Sequence, residues 1–194
     1  MKSIQSLCVF CGSRAGADPA FSAAAEQLGR SLAARGVRLI YGGGSIGLMG
    51  ILMQAVLDNG GQVTGVIPEF LMRREVGNPD LTELIVVDSM HERKRRMFEL
   101  ADAFAVLPGG LGSLDEAIEI ITWRQLGLHS KPIAVLSVED YWASFEALME
   151  QAIARGFADG AIRTLFTVTR DVESMLAVLE EGAARQRDAS SRCL

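Results

Sequence analysis

Short apolar runs alternate with amphipathic stretches from one end of the chain to the other, and this alternation restricts the fold more than any other feature. The runs at 5–11, 37–41, 62–67, 83–87, 103–107, 132–137 and 165–169 read as strands. The stretches at 19–35, 46–58, 89–101, 113–127, 141–155 and 171–184 read as helices. Strands 103–107 and 132–136 are apolar without alternation, which suits a sheet covered on both faces. The pattern predicts an α/β protein, a Rossmann-like doubly wound parallel sheet flanked by helices. At 194 residues the chain fits one domain, expected over 1–182, with the small and polar residues 183–194 as a flexible tail.

Charge and composition exclude several classes of partner. A net charge of −5 provides no domain-wide basic field for nucleic acid. No stretch approaches the roughly 20 apolar residues of a membrane span, and the N-terminus lacks a signal-peptide pattern. Cys8 and Cys11 form a C-x-x-C, but within a strand an i,i+3 pair points to opposite faces. No second Cys or His pair is spaced to complete a metal site, and His91 and His129 are isolated. Buried structural thiols, no metal and a cytoplasmic location are the expectations.

Ligands of doubly wound sheets bind outside the carboxyl ends of the strands, where the strand order reverses. Three glycine-bearing loops leave strand ends here: 11–16, 42–47 and 108–112. The third, Pro108-Gly109-Gly110-Leu111-Gly112-Ser113-Leu114-Asp115-Glu116, runs from an apolar strand into a helix with a carboxylate in its first turns. Glycines let backbone N–H groups crowd an anion, and a helix N-terminus adds positive potential at the same point. Residues 42–47, Gly-Gly-Gly-Ser-Ile-Gly, fit G-x-G-x-x-G, but the acidic residue wanted at the end of the following strand is replaced by Val66-Ile67-Pro68-Glu69. A dinucleotide site is therefore disfavoured, and Gly43 and Gly44 are read as lining a mononucleotide or phosphate. No Walker lysine follows any of these loops.

Two helices carry further information. In 89–101, helical spacing puts Arg93 and Lys94 on the apolar stripe with Met90, Met97 and Ala101, whereas Arg95 and Arg96 fall on the solvent side. A cation on an apolar stripe needs a partner, and Glu75, Glu116 or a phosphate could supply it. In 113–127, Leu114, Ala117, Ile118 and Ile121 are expected to face the core. Glu116, Ile120 and Trp123 would lie opposite and give a second, largely apolar face. A helix buried on two sides in so short a chain predicts a homodimer with the site near its interface.

The motifs in 42–50, 90–94 and 108–116, with Ile121-Thr122-Trp123-Arg124-Gln125-Leu126-Gly127 and Lys131-Pro132, resemble the LOG ("lonely guy") family of cytokinin riboside 5′-monophosphate phosphoribohydrolases over about residues 5–180. The resemblance implies hydrolysis of the N-glycosidic bond of a purine nucleoside 5′-monophosphate, without a cofactor. It further implies Arg93 and Glu116 as the catalytic pair. Glu75, Lys94, Gly110, Leu111, Gly112, Ser113, Leu114, Asp115, Glu116 and Thr122 would line the nucleotide site. Ser113 stands where the family usually has threonine, and keeps the hydroxyl. Members have also carried the label lysine decarboxylase, but no lysine here stands in a pyridoxal-phosphate context. The other reading is a non-catalytic nucleotide-binding or carrier protein on the same fold, for which an Arg93–Glu116 pair is not required.

Overall fold

The computed structural model describes residues 4–75 and 81–191. Seven strands, β1 (Ser6–Phe10), β2 (Arg38–Tyr41), β3 (Val63–Pro68), β4 (Glu83–Val87), β5 (Ala103–Val106), β6 (Ile133–Leu136) and β7 (Thr167–Thr169), form one sheet in the order β4-β3-β2-β1-β5-β6-β7. Every neighbouring pair is parallel. The order runs outward from β1 in both directions, so the reversal lies between β1 and β5. At that point the loops leaving the two strands part and open a crevice.

Among the described residues six α-helices connect the strands, α1 (Pro19–Arg35), α2 (Gly47–Asp58), α3 (Glu69–Glu75), α4 (Met90–Leu100), α5 (Leu111–Gln125) and α6 (Ala143–Ala154), and α7 (Val172–Ser191) follows the last strand. Alternate strand residues enter two separate cores. Leu7, Val9, Cys11 and Leu39 pack against α1, α2 and α7, through Leu28, Leu52 and Leu176 among others. Cys8, Phe10, Ile40 and Phe104 pack against α4, α5 and α6, through Met97, Ile120 and Phe145. Cys8 and Cys11 are thus free, buried thiols on opposite faces of the sheet. Burial pushes the thiols of both residues well above their usual range.

Strand and helix boundaries read from the sequence lie close to those observed, with three differences. α3 directly follows Pro68 and is only seven residues long, too short for a periodic signal. α7 continues without a break past residue 182 to Ser191, and Ala183 is buried against the sheet. The third difference is the rotation of α5. Its buried face carries Ser113, Glu116, Ala117, Ile120 and Ile121, while Ile118, expected in the core, is 46% exposed. Two polar residues occupy inward positions because that side of the helix borders a cavity as well as the core. A stripe drawn through apolar residues alone is therefore displaced around the axis. The outward face carries Leu111, Ile118 and Thr122, with exposed Leu126 and Leu128 beyond the helix end. No helix among the described residues is long and apolar enough to cross a membrane.

Candidate active site

The three glycine loops meet at the carboxyl edge of β1, β2 and β5. Gly12 N–H donates to Pro108 O at 3.0 Å, and Gly12 O in turn accepts from Leu48 N–H at 3.0 Å and Met49 N–H at 3.3 Å. Gly47 lies so close to Ser13 that a Cβ there would come within 2.3 Å of its backbone, and its φ of 61° is in the left-handed region. Beneath these loops is a cavity of about 210 Å³, lined by Cys11, Ser13, Gly42, Arg93, residues 110–113 and Glu116, with Val9, Phe10, Met49 and Met97 behind.

Helix capping decides where an anion can bind. α1 and α4 are closed by side chains: Asp18 accepts from Ala20 N–H, and Ser89 accepts from Glu92 N–H. α2 and α5 begin at Ile46 and Gly110 with no side-chain cap. At α2 the Leu48 and Met49 N–H groups are taken by Gly12 O. At α5 the first-turn N–H groups of residues 111–113 have no intrahelical acceptor and border the cavity. A Cβ built on Gly110 or Gly112 would meet nothing within 4 Å, so the protein's own packing does not require these glycines. The space in front of them is available to a ligand. Ser113, 4% exposed, packs under the loop so tightly that a Cβ on Gly109 would come within 2.1 Å of its Oγ.

Arg93 reaches the cavity from α4, and its side chain is 9% exposed. Nε donates to Val66 O and Nη2 to Gly42 O, each at 3.2 Å, so two strand-end carbonyls fix the guanidinium. The remaining terminal nitrogen, Nη1, lies 3.8 Å from Glu116 Oε1 and 3.9 Å from Met90 Sδ. Glu116 is buried on α5. Burial is the main cause that lifts its carboxyl from the usual 4.5 to about 7; Arg93 opposes the rise, and Asp115 adds to it. The cavity therefore holds a carboxylate that titrates near neutrality beside a fixed cation, a setting suited to proton transfer and to stabilising developing charge.

Other expected site residues lie elsewhere. Lys94 is almost buried but points along α5, with Nζ 3.1 Å from both Asp115 and Glu119, and does not line the cavity. Leu114, Asp115 and Thr122 are also absent from the lining, and Thr122 is exposed on the outer face of α5. Gly43 and Gly44 do not line it either. Gly43, with a φ of 79°, packs against Ile67, where a Cβ would sit at 2.9 Å. Glu75 is the last residue of α3, and its side chain lies outside the described residues. Arg95 and Arg96 pair on the surface, Arg95 with Glu92 and Glu99 and Arg96 with Glu99.

Gly42 and Cys11 belong to glycine loops expected at the site, but the sequence does not single them out as lining residues. A Cβ on Gly42 would lie 1.8 Å from Arg93 Nη2, so this glycine makes room for the guanidinium. Its place in the glycine run after β2 is a sign of the loop, but not of the approach to Arg93. Cys11 lines the cavity as the last apolar residue before the first glycine loop.

The family described as "Possible lysine decarboxylase" matches residues 49–179. A probable cytokinin riboside 5′-monophosphate phosphoribohydrolase of Oryza sativa subsp. japonica is 46% identical over 181 residues, covering 93% of this chain and 79% of the relative. A cytokinin riboside 5′-monophosphate phosphoribohydrolase of Arabidopsis thaliana is 42% identical, covering 96% of this chain and 87% of its own. Among solved structures, a molybdenum cofactor carrier protein from Chlamydomonas reinhardtii superposes with a TM-score of 0.70 at 20% identity, over 92% of this chain and 98% of the carrier. That likeness shows a shared fold.

Proposed function

The chain belongs to the LOG family of cytokinin riboside 5′-monophosphate phosphoribohydrolases, and from that premise we propose that it hydrolyses the N-glycosidic bond of N6-substituted adenosine 5′-monophosphates, releasing free base and ribose 5-phosphate. The observation that carries this reading is the meeting of buried Arg93 and Glu116 in a cavity whose other wall is the uncapped start of α5.

The first-turn N–H groups of residues 111–113 and the Ser113 hydroxyl hold the 5′-phosphate. Phosphate binding fixes the sugar against Glu116 and favours monophosphates over nucleosides. As the C1′–N9 bond breaks, its electron pair leaves with the base and positive charge develops on the ribose ring. Ionised Glu116 stabilises that charge and takes a proton from the water that adds to C1′. A second water protonates the departing base, and the hydroxide it leaves takes the proton from Glu116, so that one water is consumed and the carboxylate is restored. Arg93 favours the ionised form of Glu116 against its burial, and directs Nη1, which the strand ends leave unengaged, to the ribose hydroxyls. Lys94 acts indirectly, by neutralising the two carboxylates that flank Glu116 on α5.

The outward face of α5, with exposed Leu111 and Ile118, supports a homodimer with the cavity mouth beside the interface. Thr122 and Leu114 would then approach the nucleotide as part of that mouth. Sedimentation should give about twice the chain mass, and Ile118→Lys should give monomer. A cytoplasmic location accords with the free thiols.

The decisive experiment is product analysis with AMP and isopentenyladenosine monophosphate side by side. Equal amounts of free base and ribose 5-phosphate are expected from at least one of them. Binding of both without turnover would leave only a nucleotide-binding protein.

A further inference from the structure

The loop that leads into α5 is held by its carbonyl oxygens. Pro108 O accepts from Gly12 N–H at 3.0 Å, and the next carbonyl, Gly109 O, accepts from the Tyr141 hydroxyl at 2.5 Å. In a trans peptide the C=O and the N–H point in opposite directions. A Gly109 carbonyl drawn toward Tyr141 therefore turns the N–H of Gly110 the other way. Gly110, Leu111 and Ser13 form the wall between two cavities. One contains Arg93 and Glu116; the other, about 570 Å³, is lined by Arg14, Phe21, Leu48 and Tyr141. Tyr141 pulls from the second cavity, which turns the Gly110 N–H away from it, on the wall shared with the first.

The turn that delivers Tyr141 is unusual. Glu139 and Asp140 have φ values of 48° and 56°, two consecutive left-handed residues without glycine. Such a conformation persists only where the surroundings over-determine it. Here Asp140 pairs with Arg170, Tyr141 stacks edge-on with Phe21 and Trp142, and the Trp142 N–H donates to Ser137 Oγ. These contacts hold the ring, whereas the hydroxyl contributes a single bond, to the loop beside the active cavity.

We propose that Tyr141 is a positioning residue for the substrate phosphate: its hydroxyl fixes the Gly109–Gly110 peptide so that the Gly110 N–H joins the first-turn N–H groups of α5 in one anion cradle. The inference rests on the phosphoribohydrolase reading and extends it to a residue 25 positions beyond Glu116 in sequence. Tyr141 does not touch the reacting atoms.

Tyr141→Phe keeps the ring contacts and removes only the hydroxyl. Steady-state kinetics with AMP or isopentenyladenosine monophosphate, whichever the wild type turns over, should show KM raised about tenfold and kcat changed less than about twofold, the loss of one hydrogen bond to a bound anion. The Kd of ribose 5-phosphate should weaken by the same factor, while Tm stays near the wild-type value. A variant with unchanged KM and Kd overturns the proposal, as does one that loses kcat alone or loses Tm with both parameters intact. An active wild type with an indifferent Tyr141→Phe leaves the hydrolase reading standing. A wild type inactive on both nucleotides removes that reading and this one together.

Discussion

Arg93 Nη1 stands 3.8 Å from Glu116 Oε1, outside hydrogen-bonding range, although both side chains are buried in the same cavity. The gap follows from where the guanidinium is anchored. Its Nε and Nη2 are bound to Val66 O and Gly42 O, so it cannot close on the carboxylate without leaving the sheet. The pair therefore interacts through charge, and the carboxylate is not tied up by the guanidinium, as the proposed mechanism requires.

Glu116→Gln keeps the shape of the side chain and removes its charge. We expect kcat to fall by about 10³, as for the loss of a group that stabilises transition-state charge. Calorimetric Kd for the nucleotide should stay within about threefold of wild type. Near-normal turnover would remove Glu116 from the chemistry.

Activity should follow the ionisation of Glu116, with kcat/KM rising with pH through an inflection near 7 and levelling above it. Stability should run the opposite way. Between pH 4.5 and about 7 the unfolded chain releases this proton while the folded chain keeps it, so the contribution to stability falls as pH rises across that window. The change amounts to about 3 kcal/mol and is complete above the folded-state value. Urea unfolding of wild type and Glu116→Gln at pH 5 and pH 8 isolates it: wild type should lose stability relative to the variant at the higher pH.

Gly42→Ala would place a methyl group 1.8 Å from Arg93 Nη2 and displace the guanidinium from its carbonyl. Activity should drop nearly as far as in Arg93→Ala. Arg95→Ala and Arg96→Ala, which remove surface pairs, should keep wild-type rates. Comparable losses in all four would mean that the orientation of α4 is not what matters.

Lys94→Met should leave Asp115 and Glu119 unneutralised beside Glu116, both of which push its carboxyl upward. The activity inflection should move above 7, lowering kcat at pH 7 and largely recovering it at pH 9. The stability cost should be only about 1 kcal/mol, because the carboxylate partners are partly exposed. A KM raised equally at every pH would instead identify Lys94 as a phosphate ligand.

The fold was legible because apolar runs closed by glycine or proline mark parallel strands without long-range information. Arg93 was legible for a related reason: a cation on an apolar stripe announces a buried partner. Lys94, on the same stripe, likewise needs a partner, but its partners are Asp115 and Glu119 on the adjacent helix, a contact that depends on packing. The glycine run at 42–47 shows the opposite limit. Its spacing looks like a phosphate loop, yet Gly12 O, from the loop after β1, already accepts from the Leu48 and Met49 N–H groups of α2. The face of α5 was misjudged because Ser113 and Glu116 are polar and buried, so hydrophobic periodicity alone could not count them. Gly42 and Tyr141 act through approaches to residues 51 and 32 positions away, which no local pattern contains.

The reversal of strand order between β1 and β5 has a consequence for how catalytic competence arises. Arg93 is anchored on the β2 and β3 side of that reversal, and Glu116 is delivered from the β5 side. Neither half of the sheet contains both members of the pair, and on the proposed mechanism a fragment folded on one side alone would be chemically inert. Turnover can thus serve as a sensor for the docking of the two halves, one that would register a shift too small to alter secondary structure.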